Sequence, residues 1–382
     1  MKIIAFYLPQ FHRIQENDTW WGEGFTEWVN VKKATPLFKN HKQPRIPLNE
    51  NYYDLSEPAV MDWQISLANK YGIYGFCFYH YWFNGHLLLQ KPVEDFLNDK
   101  TKNIHFCLSW ANEHWTNAWV SSESKVLMHQ TYGDKESWVK HFNYLFDFFQ
   151  DERYIKEDNR PIFIIYRPEL IDSLEEMLNT WQELAIQNGF DGIKFVYQHI
   201  SYHLYNKKKE ELFDYSIEYQ PTYAQVLHRR GSYEKLRMFK RKISLLLEKK
   251  FGIDVRHYGN KLTHFDYDVI WNYILNATPS SSKSIPGAFV NWDNTPRRNQ
   301  RGIVYDGFSI DKFQHYLSKQ IKNTKEKYKT DKLFIFAWNE WAEGGYLEPD
   351  NEYDYGVLEA IRSALIENDE FPIVDESDHE TK

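Results

Sequence analysis

The chain of 382 residues has only two cysteines, Cys77 and Cys107, each inside an apolar run. Two thiols cannot build a disulfide framework or a four-ligand zinc site, so both are expected as plain core residues. No stretch reaches the roughly 18 apolar residues of a membrane-spanning helix. The opening Met1-Lys2-Ile3-Ile4-Ala5-Phe6-Tyr7-Leu8-Pro9 has too short an apolar run, and no small-residue cleavage site, for a secretory signal. A cytoplasmic location is the expectation. Positive charge is in deficit: 46 Lys and Arg against 54 Asp and Glu leave a formal net charge of −8. A general nucleic-acid binder is excluded, because the phosphate backbone demands a basic surface. The sequence also lacks a Gly-x-Ser-x-Gly elbow, a Walker-type loop and a His-Glu-x-x-His pair. Of its 15 His, His80, His114 and His199 scatter over separate loops and form no recognisable ligand set. Neither a metal nor an organic cofactor is expected.

Aromatic residues are in excess. There are 14 Trp, 27 Tyr and 26 Phe, 18% of the chain, while the hydrophobic total is an ordinary 42%. The surplus is therefore in rigid rings with polar edges, which suit ligands that have apolar faces and many hydroxyls.

Short β-branched and aromatic runs alternate with helical patterns from end to end, the signature of βα units around a parallel sheet. Strands are predicted at residues 2–8, 73–81, 104–110, 161–166, 193–199, 214–220, 286–292 and 332–338, with helices at 57–70, 137–149, 171–188 and 353–367. Eight such units predict an α/β fold, a (β/α)8 TIM barrel with its active site at the C-terminal ends of the strands. Polar residues gather at those ends: Gln10 and His12, His80 and Asn84, Asn112, Glu113 and His114, Arg167, Gln198 and His199, Glu218 and Gln220, Asn291 and Asp293, then Asn339, Glu340 and Glu343. A doubly wound open sheet would instead carry a Gly-rich phosphate turn after an early strand, and none is present. Residues 1–370 read as one barrel domain and 371–382 as an acidic, disordered tail. An insertion at 228–250 carries nine Lys and Arg against two Glu, with Leu236, Phe239, Ile243, Leu246 and Leu247 at helical spacing. It reads as a basic amphipathic helix that packs on the surface or docks to an anionic membrane or lipid-linked phosphate.

The sharpest chemical signal is Phe334-Ile335-Phe336-Ala337-Trp338-Asn339-Glu340-Trp341-Ala342-Glu343-Gly344. A buried strand runs straight into two carboxylates three residues apart, which on a helical turn face the same way. Burial and mutual repulsion push such a pair to different proton affinities, so that one donates a proton while the other stays ionised. Cleavage of a glycosidic bond needs that pair. Clusters of rings and hydrogen-bonding groups surround it: Trp20-Trp21-Gly22-Glu23-Gly24-Phe25-Thr26-Glu27-Trp28, Phe78-Tyr79-His80-Tyr81-Trp82-Phe83 and Ser109-Trp110-Ala111-Asn112-Glu113-His114-Trp115. Sugar sites combine amides and carboxylates for hydroxyls with rings for the C–H faces. The expected sugar contacts are Tyr7, Gln10, His12, Glu27, Trp28, His80, Trp110, Asn112, Glu113, Trp115, Tyr166, Gln198, Glu218, Trp338, Asn339 and Trp341. Asp266-Tyr267-Asp268 has the Asp-x-Asp form of metal-dependent sugar-nucleotide transferases, but it is a three-residue match inside a predicted helix.

Phe6-Tyr7-Leu8-Pro9-Gln10-Phe11-His12, Gly24-Phe25-Thr26-Glu27-Trp28, Ser109-Trp110-Ala111-Asn112-Glu113 and Trp338-Asn339-Glu340-Trp341-Ala342-Glu343-Gly344, continuing to Tyr346-Leu347-Glu348-Pro349-Asp350, resemble the WbsX-like family. These are glycosyltransferases of bacterial surface-polysaccharide synthesis, with a barrel similar to that of glycoside hydrolase family 99. The resemblance implies an O-antigen or capsule setting and an oligosaccharide or polysaccharide substrate, with a lipid-linked glycan at the inner membrane face as the partner the basic insertion suits. Its family 99 side implies retaining cleavage of α-mannoside linkages by neighbouring-group participation. On this chain Glu340 would draw the proton from the sugar 2-hydroxyl and Glu343 would protonate the leaving oxygen. A glycosyltransferase using an activated donor and a non-catalytic carbohydrate-binding barrel are the alternatives.

Overall fold

A computed structural model describes residues 1–117, 125–200, 207–228, 243, 246 and 261–372. Parallel strands β1 (Lys2–Tyr7), β2 (Gly75–Phe83), β3 (His105–Trp110), β4 (Arg160–Ile165), β5 (Lys194–His199) and β6 (Tyr215–Glu218) pair in chain order. The seventh stave, β7, is split: Ser284–Ile285 pairs with β6, and Gly287–Phe289 pairs with β8 (Lys332–Phe336). Pro286, which has no N–H to give a ladder, sits at the split. At the next residue a side chain is impossible, because a Cβ on Gly287 would lie 2.1 Å from the Glu218 carbonyl oxygen. Strand β8 then pairs with β1 and the ring closes. The fold is the (β/α)8 barrel expected from the sequence, and all eight strands overlap their predicted runs, β7 starting two residues and ending three residues earlier than predicted.

A helix follows each strand: α1 (Pro58–Tyr71), α2 (Lys91–Asn98), α3 (Lys135–Phe149), α4 (Leu174–Gln187), α5 (Lys207–Glu211), α6 (Tyr267–Asn276), α7 (Ile310–Glu326) and α8 (Gly356–Glu367). Their ends follow the local chemistry. Pro58 opens α1 and Gly72 closes it in the left-handed conformation, while Asp134 and Ser309 cap α3 and α7 with their side-chain oxygens. Asp266 likewise caps α6, and Asp268 binds Lys312 and Tyr316. The Asp-x-Asp element is thus a helix start and a surface ion pair.

Residues alternate between the barrel interior and the helix layer. Inside, Phe6 packs on Tyr79, Tyr219 and Phe334, and Tyr219 packs on Phe336. Outside, Tyr7 packs on Phe76 and Phe78, and Trp110 packs on His141 and Trp181 of the helices. Cys77 and Cys107 are fully buried neighbours on β2 and β3. Glu370 pairs with Lys325 and Phe371 packs on the core, so the fold extends into the predicted tail; residues 373–382 lie outside those described. Of the basic insertion, only His228, Ile243 and Leu246 are described. No helix among the described residues is long and apolar enough to cross a membrane.

Candidate active site

The C-terminal ends of the strands enclose a cleft of about 500 Å3. Tyr79, Tyr81, Tyr166 and Tyr219 line its depth, and Trp21, Trp115 and Trp292 line its sides. The hydroxyls of Tyr79 and Tyr219 meet across the barrel at 2.9 Å.

Glu340 and Glu343 reach the cleft from the chain just past β8. Asn339 sets the take-off point: its amide accepts from Leu8 N–H at 2.8 Å and donates to the Leu8 carbonyl at 2.9 Å, imitating a neighbouring strand. Glu340 is followed by the tight turn Trp341–Glu343, which ends at Gly344 with φ +66°. The Glu343 carbonyl accepts from Asp293 N–H at 2.7 Å, so this turn rests on the loop after β7. Asp293 anchors that loop by accepting from His41, Gln43 and Thr295. Burial opposes its ionisation, but these donors win and hold the carboxyl below its usual range. Behind the turn, Glu348 accepts from Trp338 Nε1 at 3.0 Å and Trp341 Nε1 at 2.6 Å, as well as from Tyr53 and Gln64. The indoles on either side of Glu340 are thereby pinned to one carboxyl.

Arg297, in the loop after β7, joins three carboxylates. Its Nε donates to Glu27 at 2.8 Å, Nη2 to Glu340 at 3.0 Å and Nη1 to Glu343 at 2.7 Å. The group is buried, and one cation among three carboxylates leaves an excess of negative charge. Burial, with added repulsion from Glu343 and Glu27, pushes Glu340 up to about 8 against the pull of Arg297. Near neutrality the cluster therefore holds a proton, which belongs to the interacting pair as a unit. Among the described residues no three His, Cys, Asp or Glu side chains come together as metal ligands.

Of the expected contacts, Gln10, Glu27, Glu113, Trp115, Tyr166, Glu340 and Glu343 line the cleft. The others do not. Tyr7 donates to Gln64, His80 meets His141, Trp110 donates to the Trp82 carbonyl, Glu218 accepts from Tyr328, and Trp338 reaches Glu348; all five point to the helix layer. Burial raises the Glu218 carboxyl and lowers the His80 imidazole. His12 folds back on the Pro9 carbonyl, and Trp28 packs between Phe11 and Trp341 with its Nε1 on the Tyr53 carbonyl. Gln198 bonds Ser109 inside the barrel beneath the cleft. Asn112 repeats the Asn339 device, bonding both backbone groups of Arg167. Trp341 stacks on Tyr346. Sequence reasoning missed Arg297, Asn30, Tyr219 and Trp292, and placed Tyr79 and Tyr81 in a ring cluster without singling them out as contacts. The run Pro296-Arg297-Arg298, just beyond the polar end of β7, was the available signal for the arginine.

The C-terminal mouth of this parallel barrel thus combines paired carboxyls with aromatic walls. A family model described as Glycosyltransferase WbsX matches residues 3–361, and the chain belongs to that family. An uncharacterized protein, WxcX, of Xanthomonas campestris pv. campestris is 33% identical over 372 residues, 95% of this chain. The chain spans 49% of that relative's length. Among solved structures, a GH99 endo-alpha-mannosidase from Bacteroides thetaiotaomicron superposes with a TM-score of 0.53 at 14% identity, covering 96% of each chain. A glycoside hydrolase-like protein gives a TM-score of 0.57 at 14% identity, covering 98% of this chain and 94% of its own.

Proposed function

We propose that the protein cleaves glycosidic bonds, by hydrolysis or by transfer to another sugar hydroxyl, with Glu340 and Glu343 as its acid/base pair. One observation carries the reading: both carboxyls line the cleft from a single turn and are held by different nitrogens of Arg297. The likeness of the Trp338–Gly344 motif to glycoside hydrolase family 99 supports an α-mannoside-type linkage within a surface polysaccharide.

In this scheme Glu340 takes the proton of the sugar 2-hydroxyl as that oxygen attacks the anomeric carbon. The glycosidic C–O bond breaks, Glu343 gives its proton to the leaving oxygen, and a 1,2-anhydro sugar remains. Glu343 then takes a proton from water or an acceptor hydroxyl, whose oxygen opens the ring, while Glu340 returns its proton to O2. The first step needs the shared proton on Glu343, whereas burial favours it on Glu340. A hydroxyl donating to Glu340 favours the ionised form there, and an ether oxygen beside Glu343 favours the protonated form. Substrate therefore moves the proton to its working place. Arg297 acts as a positioning residue throughout.

The family's description favours a transferase, which would use the same pair with a different acceptor. The test is mass spectrometry of α-mannose oligosaccharides incubated in 18O-water with and without nucleotide sugars. Labelled reducing ends mean hydrolysis; unlabelled longer products mean transfer. Full turnover by Glu343→Gln would end the reading.

A further inference from the structure

Strand β2 does not stop at the barrel rim. Its last residues, Tyr81 to Phe83, turn back and pair with His86–Leu88. Past β3, Trp115–Thr116 pairs with Val126–Met128 in a second hairpin. Together with Ile14 and Trp20 from the segment after β1, the two hairpins enclose a small apolar cluster of Phe83, Leu88 and Leu89, against which Tyr81, Trp115 and Met128 also pack. It is distinct from the barrel core, and Tyr81 touches both. Nothing in a (β/α)8 barrel requires such a cluster. What it supports is a row of rings: Trp115 stands edge-on to Tyr81 with centroids 5.1 Å apart, and meets Trp20 at 5.9 Å.

Tyr81, Trp20 and Trp115 are only half-buried, so the cluster turns its rings outward instead of closing over them. Tyr81 and Trp115 line the cleft, and so does half-buried Trp21, the neighbour of Trp20 in sequence. At the inner end of the row, burial and then the negative charge of Glu340 push the Tyr81 phenol up, so this ring lies within the field of the acid pair. The row therefore leads from the acids towards the rim. Apolar surface left open beside a cleft marks a place for a ligand, and the C–H faces of pyranose rings match an indole in flatness and polarity. We propose that Trp115, Trp20 and Trp21 form a subsite for sugar residues beyond those at the scissile bond, which makes the enzyme selective for extended glycans over short glycosides. This rests on the reading of the cleft as a glycosidic-bond site. The carboxyls do the bond chemistry, and the rings supply an affinity that grows with chain length.

The test is a ladder of α-mannose oligosaccharides from disaccharide to hexasaccharide, with binding to Glu343→Gln measured by calorimetry and KM by the intact enzyme. Covering one sugar face with an indole is worth about tenfold in affinity, so the hexasaccharide should bind about tenfold or more tightly than the disaccharide. Trp115→Ala should bring that ratio down towards one, whereas Trp115→Phe, which keeps a ring over the cluster, should retain most of it. Trp21→Ala lies outside the small cluster and should lower the ratio without loosening the hairpins. Affinity independent of length, or a length dependence that survives both Trp115→Ala and Trp21→Ala, overturns the inference, while cleavage of the shorter oligosaccharides leaves the enzymatic reading standing. A dodecyl disaccharide that binds as tightly as the hexasaccharide would assign the rings to an alkyl chain and overturn it too. If no oligosaccharide is bound or cleaved, the glycosidic reading falls and this inference with it.

Discussion

Arg297 Nη2 lies 3.0 Å from Glu340 Oε2, and the other two nitrogens of the same guanidinium hold Glu27 and Glu343. One side chain thus sets both the position and the proton affinity of the paired acids. Arg297→Lys keeps the charge but offers a single point donor, which cannot reproduce a three-way fork. It is expected to lower kcat/KM about 100-fold through misplacement of the carboxyls. Arg297 pulls the Glu340 carboxyl down, so Arg297→Gln should move its ionisation above its present value of about 8. The alkaline limb of the kcat/KM profile, where the pair loses its shared proton, then shifts to higher pH, and an unshifted limb would show that Arg297 does not tune the pair. Three buried carboxyls without their cation should also destabilise the fold by about 3–5 kcal/mol, measurable by denaturant unfolding.

Replacing each acid separates the two roles. Glu343→Gln retains the shape of the site and cannot exchange a proton, so turnover should fall by about 10²–10⁴ while oligosaccharide affinity persists. Substrates with a good leaving group, such as aryl glycosides, need no proton at the leaving oxygen and should recover much of the first step in Glu343→Gln. Glu340→Gln should show no such recovery, because the 2-hydroxyl would have lost its base. Recovery in both variants, or in neither, would refute this division of labour.

The barrel was legible because eight short apolar runs, each followed by a helical pattern, admit few other closed folds. The acid pair was legible because its strand, turn and spacing are contiguous. The sugar wall was only half legible, and the reason is parity. Parallel strands buried on both faces read as continuous apolar runs, so nothing in Phe76–Phe83 marks Tyr79 and Tyr81 as facing inward and His80 as facing the helices. The same ambiguity misplaced Tyr7, Trp110, Glu218 and Trp338. Arg297 escaped notice because its partners Glu27, Glu340 and Glu343 lie 270, 43 and 46 residues away, a convergence that exists only after the ring closes.

Gly344 shapes the turn that carries Glu343. Its φ is +66°, and a Cβ there would lie 2.8 Å from Asp293 N. That nitrogen already donates to the Glu343 carbonyl at 2.7 Å. Gly344→Ala must therefore strain the backbone and push apart the two loops holding Glu343 and Arg297. A loss of about 1–3 kcal/mol in stability is expected, with a fall in kcat exceeding any change in KM. Thermal unfolding and steady-state kinetics check both, and wild-type kcat in a folded Gly344→Ala would remove the turn from the account.

Glu348 makes stability depend on pH in a direction opposite to acid denaturation. It is 1% exposed and accepts from Tyr53, Gln64, Trp338 and Trp341, all neutral donors. Burial pushes its carboxyl up to about 7 in spite of those bonds, and Glu340 stands at about 8. In the unfolded chain both return to the ordinary carboxylate range, about 4.3. Between those limits the folded protein binds protons that the unfolded chain has released, so stability falls as pH rises. The contribution of Glu348 is complete below about pH 4.3 and lost through pH 7, a change on the order of 3 kcal/mol. Asp293, held below its usual range, works the other way, but its stabilisation is lost only in acid and leaves the slope above pH 5 unchanged. The His80 and His141 imidazoles, lowered by burial, oppose this up to about pH 7, so the drop in melting temperature is expected between pH 7 and 8.5. Glu348→Gln removes one titrating group and sets an amide N–H against indole donors, so it should melt lower at pH 5.5 and decline less steeply. A wild-type melting temperature that climbs over this interval, or an equally steep decline in Glu348→Gln, would mean that Glu348 is already ionised in the folded protein.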